Sequence, residues 1–221
     1  MKKLALPGIT LVILSLGILT GCGTTEEVKK AEPKTGQTQV VGNVDKEKAE
    51  NQTGLGQIGE FGKVSVLAEA DPFILEGNEN IGYELSDVKL VKIEDYTEDG
   101  EWALLWGTGL DSAAELPKSV YAVIGTEKKT NKTDMSIEFS GINALVLGSE
   151  QIDAITDDMA TEDEGGSTML GGVESEGQFA VVVKDPKATS LKLLLSSAFD
   201  SETFSNDLLE EQEINLTLTS K

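Results

Sequence analysis

The chain has 221 residues, 39 of them Asp or Glu against 18 lysines, with no arginine, no histidine and one cysteine. A formal net charge of −21 argues against a nucleic-acid binder, which needs a basic footprint for phosphate. Lack of histidine removes His-ligated zinc, Ser–His and Cys–His pairs and the usual near-neutral base, and one cysteine allows neither an internal disulfide nor a thiolate cluster.

Lys2 and Lys3 precede an apolar run from Leu4 that closes in Leu19-Thr20-Gly21-Cys22. The pattern resembles the signal peptide and lipobox of a bacterial lipoprotein. That resemblance implies cleavage of residues 1–21, diacylglycerol on the Cys22 thiol, and a place on the extracytoplasmic face of the cell membrane. A membrane-spanning helix would need about 20 apolar residues; this run is shorter and ends without a charged stop-transfer flank. Two acyl chains anchor stably where one is marginal. The remaining chain, with a formal charge of −23, is repelled by anionic lipid, so the anchor must do the holding.

Residues 22–58 are expected to form the lipidated N-terminus and a disordered tether, because Thr24 to Thr53 shows no sustained period and hardly any large apolar side chain. A flexible linker of that length spans about 30–36 Å on r.m.s. average. Residues 23–58 carry five lysines and six acids, whereas residues 59–221 carry 11 and 33, so the acidity belongs to the folded part. Gly54-Leu55-Gly56-Gln57-Ile58-Gly59 matches the dinucleotide fingerprint G-x-G-x-x-G. Polar linker precedes it and the strand-like Lys63–Val66 follows, so no helix N-terminus receives a pyrophosphate. It reads as the end of the linker.

Beyond residue 60 the period is two. Tyr83 and Leu85 hold one phase, Val88 and Leu90 the other, and Val91 and Ile93 return to the first, which predicts a long strand bulged near Leu90. Ser86-Asp87-Val88-Lys89 matches the S-x-x-K of penicillin-binding proteins, but residues three apart in a strand point to opposite faces. The companion motifs S-D-N and K-T-G are absent, and the match reads as chance in a solvated strand. Val120–Ile124 is apolar on both faces, as in a central strand. Ala144–Leu147, Gln151–Ile155, Phe179–Val183, Leu191–Leu195 and Ile214–Leu218 supply further strands between Gly, Asn, Asp and Pro breaks. No convincing amphipathic helix is present; Asp207–Gln212 has room for one turn. The expected fold class is all-β: an immunoglobulin-like β-sandwich of about eight to ten short strands over residues 59–221, preceded by the tether.

Three segments carry candidate chemistry. Asp95 to Glu101 places oxygen side chains at the first, third and fifth positions of an EF-hand-like loop, Asp95, Thr97 and Asp99, with Gly100 sixth, but Trp106 occupies the twelfth where a bidentate Glu is needed. Asp157, Asp158, Glu162, Asp163 and Glu164 put five carboxylates in eight residues. Solvated acidic loops are the plainer reading of both, and Ca²⁺ held by loops 95–101 and 157–164 is the alternative. Trp102, Leu104 and Trp106 share one face if their segment is a strand, with Ala103 and Leu105 on the other. The indoles then either plug a core short of aromatics or form a platform for a partner. If a specific partner docks, aromatic anchors that desolvate well are the expected site rather than five carboxylates.

The order IGYELSDVKLVKI (81–93), SVYAVIGTEKKTNKTDMSIEFSGINALVL (119–147) with SEQIDAI, and GQFAVVVKDPKATSLKLLL is similar to the immunoprotective extracellular, immunoglobulin-like (telokin-like) family of Gram-positive secreted and lipid-anchored proteins. The likeness covers roughly residues 81–197. It is interrupted by the Trp-bearing insertion Glu94–Leu116 and by the acidic loop. That family implies a fold and no reaction. The functional expectation is therefore a lipid-anchored binding or structural module of the cell envelope, without catalysis or a resident cofactor. Its partners would be the membrane, through the anchor, and an envelope protein or polysaccharide.

Overall fold

A computed structural model of the chain describes residues 54–160, 166–205 and 207–221. The Cys22 motif, the tether up to residue 53 and the carboxylates Glu162, Asp163 and Glu164 lie outside the described residues.

The period-two segments form an all-β sandwich. Numbered along the chain, eight strands have four residues or more: β1 (Lys63–Glu69), β3 (Ile81–Glu94), β4 (Ser119–Asn131), β6 (Ile142–Leu147), β7 (Glu150–Asp153), β9 (Glu174–Val183), β10 (Ser190–Leu195) and β13 (Gln212–Thr217). Six are only two or three residues long: β2 (Phe73–Ile74), β5 (Ile137–Glu138), β8 (Thr168–Met169), β11 (Ala198–Asp200), β12 (Asp207–Leu209) and β14 (Thr219–Ser220). The largest sheet runs β14-β1-β3-β4-β9, with β2 added to β3, and two four-stranded sheets run β13-β10-β6-β7 and β12-β11-β5-β8. Residue 207 thus begins an extended strand, where the sequence left room for a helical turn.

One face of the large sheet supplies Tyr83, Leu85, Leu90, Val123, Phe179 and Val181 to a core shared with Leu145, Leu191, Leu193 and Leu195 of one small sheet and Ile137, Met169 and Ala198 of the other. Each large apolar side chain buried this way contributes about 1.5–3 kcal/mol. The opposite face of the same sheet is covered too. Val91, Ile93, Val120, Ala122, Ile124 and Ala180 pack there against Leu55, Ile58, Phe61, Leu104 and Met159. This second layer explains why β3, β4 and β9 are apolar on both sides. Packing therefore begins ahead of residue 59, because Leu55 and Ile58 are fully buried around the 3₁₀ turn Gly56–Glu60.

The bulge in β3 falls at Ser86–Lys89 rather than near Leu90, with Asp87 at φ 51°. It accounts for the single phase change from Tyr83 and Leu85 to Val88 and Leu90 on the inner face. Val91 and Ile93 need no second shift, because they belong to the covered outer face. Lys89 is not solvated either. Its ammonium is buried, pairing with Asp87 at 2.7 Å and donating to the Gly54 carbonyl at 3.0 Å.

The larger departure is at the two tryptophans. Glu98–Thr108 is an α-helix, α1, and not a strand. Among the described residues no helix is long and apolar enough to cross a membrane.

Candidate functional site

Helix α1 is started and stopped by its own sequence. The Gly100 N–H donates to the Thr97 hydroxyl at 3.1 Å, while that hydroxyl donates to the Glu60 carbonyl at 2.8 Å. Glu98, Asp99 and Glu101 fill the first turn, where carboxylates complement the positive end of the helix dipole. Gly109 ends it in the left-handed region at φ 66°, its N–H donating to the Trp106 carbonyl at 3.2 Å. One face of α1 packs inward: Leu104 is wholly buried against the large sheet, Gly100 lies against the Phe61 backbone, and a Cβ on Gly107 would meet the Met159 side chain.

Residues four apart share a helix face, so Trp102 and Trp106 stand together on the side away from that packing. They are 75% and 68% exposed, so neither indole plugs the core. A hollow of about 370 Å³ opens beneath them, lined by Gln57, Phe61, Asp99, Ala103, Asp158 and Met159 with both indoles. A second hollow joins the two indoles to Leu105, Leu110, Asp111 and Thr156, and a third carries Trp106 towards Asp157 and Val182. Two large aromatics over apolar floor are the kind of patch that a lone soluble domain rarely exposes without use.

The described acidic candidates gather around this shelf. Asp99 and Asp111 rim the hollows, and Asp157 and Asp158 enter them from the segment after β7. Asp158 also has a structural role, because its Oδ1 accepts from the Ala160 and Ala180 N–H groups, both at 2.8 Å, tying this segment to β9. Asp95 is exposed in a left-handed turn at φ 49°. Segment 95–101 folds as the entry to α1, and its Thr97 oxygen is engaged as the cap. Among the described residues no three Asp, Glu or Cys side chains form a group able to hold a metal ion.

No family model matches the chain, and none of the curated proteins does. Among solved structures the chain is similar to a functionally unknown protein from Listeria monocytogenes EGD-e, with a TM-score of 0.47 and 10% identity, over 72% of this chain and 89% of that one. A likeness of that degree carries no argument about what this chain does.

Sequence reasoning missed a buried polar row on β4. Glu127, Lys129 and Asn131 share the inward face and are all at least nine-tenths buried. The Tyr83 hydroxyl donates to Glu127 Oε1 at 2.6 Å and the Ile142 N–H donates to the same oxygen at 2.9 Å. Glu127 also lines a separate cavity of about 250 Å³ with Ser140, Asp158 and Gln178. The signal in the sequence was period two continuing from Val123 into Glu127, Lys129 and Asn131.

Burial, reinforced by the Glu127 charge and hydrogen bond, holds the Tyr83 phenol well above its ordinary value. A group whose folded pKa is raised stabilises the fold below its unfolded value, about 10 for Tyr. That stability is lost as pH rises towards the folded value. Ultraviolet titration should therefore show Tyr83 ionising only with alkaline unfolding, and Tyr83→Phe should remove that part of the alkaline slope. At neutral pH the same substitution should cost about 1–3 kcal/mol, because a buried acceptor loses a donor. Ionisation of all three tyrosines together near the ordinary value of about 10, in still-folded protein, would overturn this.

Proposed function

We propose that the chain is a lipid-anchored, non-catalytic binding module of the bacterial cell envelope, held by Cys22 and docking its partner on the Trp102–Trp106 shelf. One observation carries the docking part: two indoles, the only tryptophans in the chain, stand exposed side by side over an apolar hollow. Binding energy concentrates in such aromatic anchors, and α1 sets them on a rigid sandwich. The anchor rests on the lipobox-like Leu19-Thr20-Gly21-Cys22. The sandwich supports extending the resemblance to the immunoprotective extracellular, immunoglobulin-like family as a relationship of fold.

The test uses the full chain in its native envelope. A palmitate analogue should label the wild type and not Cys22→Ser, which should leave the membrane fraction. Cross-linking should recover a partner with wild type and lose it with Trp102→Ala/Trp106→Ala. Exposed positions of this kind cost within about 0.5 kcal/mol, so the double variant should melt like wild type. Label persisting in Cys22→Ser would defeat the anchor, and equal recovery by the tryptophan variant would defeat the shelf.

A further inference from the structure

We infer that the shelf takes a cationic ligand, specifically a lysine- or arginine-bearing segment of a polypeptide; this rests on the shelf being the docking site proposed above. The first ground is charge. Residues 95–111 contain five acids and no lysine, and residues 150–160 contain four acids and no lysine. Asp99, Asp111 and Asp157 are exposed, and each lines a hollow shared with an indole. Lys184, paired with Glu150 at 2.9 Å, is the one cation among the described residues that line the three.

The second ground is the pairing of that charge with indole faces. A ring face attracts a cation through its quadrupole, most strongly for tryptophan. The apolar floor of Phe61, Ala103 and Met159 suits a methylene stem, which lysine and arginine lay along apolar surface while the charged head stays wet. Guanidinium is weakly hydrated and stacks on aromatic planes, so arginine should bind more tightly than lysine. A bare metal ion would use neither the indoles nor the apolar floor. An anionic polymer would meet a domain carrying 33 acids against 11 lysines and be repelled.

An acidic protein attracts polycations everywhere, so the test must separate the shelf from net charge. The full chain in non-ionic detergent is titrated with hexaarginine while the emission of its two tryptophans is followed, with isothermal titration in parallel. The expected result is a saturable shift in emission that weakens with added salt. Asp99→Asn/Asp111→Asn/Asp157→Asn should weaken binding by about tenfold, the sum of three exposed ion pairs of about 0.2–1 kcal/mol each. Glu202→Gln/Glu210→Gln/Glu211→Gln has the same net charge and leaves the shelf untouched; it should change affinity by less than about threefold, the scale of a screened surface pair. Trp102→Ala/Trp106→Ala should lose about tenfold by calorimetry. Equal weakening by the two charge triples would overturn the inference, as would a response to hexaglutamine or a neutral oligosaccharide equal to that of hexaarginine. In either case the shelf could still recover its partner in the cross-linking experiment, so failure here is distinguishable from failure of the docking site.

Discussion

Gly100→Ala is expected to destabilise the protein by about 3 kcal/mol, although alanine is the better helix former. A Cβ at residue 100 would lie 1.8 Å from the Phe61 carbonyl oxygen and 2.5 Å from its carbon. That carbonyl is already fixed, since it accepts the Thr97 N–H at 3.0 Å, so it cannot swing away without breaking the link between helix and turn. Two effects oppose each other. Removing glycine from a helix gains about 1 kcal/mol, while forcing atoms into packed backbone costs about 1–3 kcal/mol and sometimes more. With backbone atoms this close the steric term passes the top of that range, at about 4 kcal/mol, so it wins by about 3 kcal/mol and the helix must lift off the sheet. An 11-residue helix has little stability of its own once its packing is lost. A loss of about 3 kcal/mol corresponds to roughly 6–12 °C in melting temperature for a domain of this size. Gly109→Ala is the control: that residue sits at φ 66° with open space around it, so only the left-handed penalty of about 1–2 kcal/mol applies. Gly100→Ala melting at or above wild type would mean that α1 is not seated as described.

The same glycine shows why the sequence reads clearly for the sandwich and poorly for the helix. The strands β3, β4, β9, β10 and β13 were legible because alternation of large apolar residues can only be satisfied by a sheet with a core behind it. That β3 is bulged was legible for the same reason, since one extra residue moves every later side chain to the other face. Its place was not: apolar residues on both faces at Leu90 and Val91 mimic a shift there, while the register breaks at Ser86–Lys89. Trp102 to Trp106 is apolar at all five positions, so it has no period to read, and spacing of two fits a strand as well as spacing of four fits a helix. The decisive signals were local ones: Thr97 before an acidic turn, and Gly109 after it. Short strands such as β5 and β8, two residues each, carry no period at all and exist only through their partners. Leu55 and Ile58 looked like linker because two apolar residues among glycines mark no element. They are buried because the large sheet needs a second cover. The acidic segments and the tryptophans were each visible, but their adjacency was not, since 50 residues separate Trp106 from Thr156 and only the fold brings them to one hollow.

Asn131 is where the second large effect is expected. It ends β4 wholly buried, and its amide organises the turn that follows. Its Nδ2 faces three carbonyl oxygens, Met135 at 2.7 Å, Leu170 at 3.0 Å and Met169 at 3.2 Å, while Oδ1 accepts from the Thr133 N–H at 3.0 Å and its hydroxyl at 2.7 Å. Two hydrogens serve three acceptors, so one is shared. Acceptors on one side and donors on the other fix which end is nitrogen. Asn131→Ala leaves these groups with fewer partners and should cost about 3 kcal/mol. Asn131→Asp is the sharper probe, since it keeps the shape and turns one donor end into an oxygen facing three oxygens. Burial and those carbonyls disfavour the ionised form, so the introduced carboxyl should have a folded pKa raised above its unfolded value of about 3.9. A group raised in the folded state stabilises below its unfolded pKa, and that stability is lost as pH rises through the folded value. The deficit of Asn131→Asp relative to wild type should therefore exceed that of Asn131→Ala at about pH 7 and shrink on acidification towards about pH 4. Melting of the three proteins across that range decides it. A deficit of Asn131→Asp that is flat with pH, or smaller than about 1 kcal/mol, would mean that the amide is not what holds Met135, Met169 and Leu170 together at the end of β4.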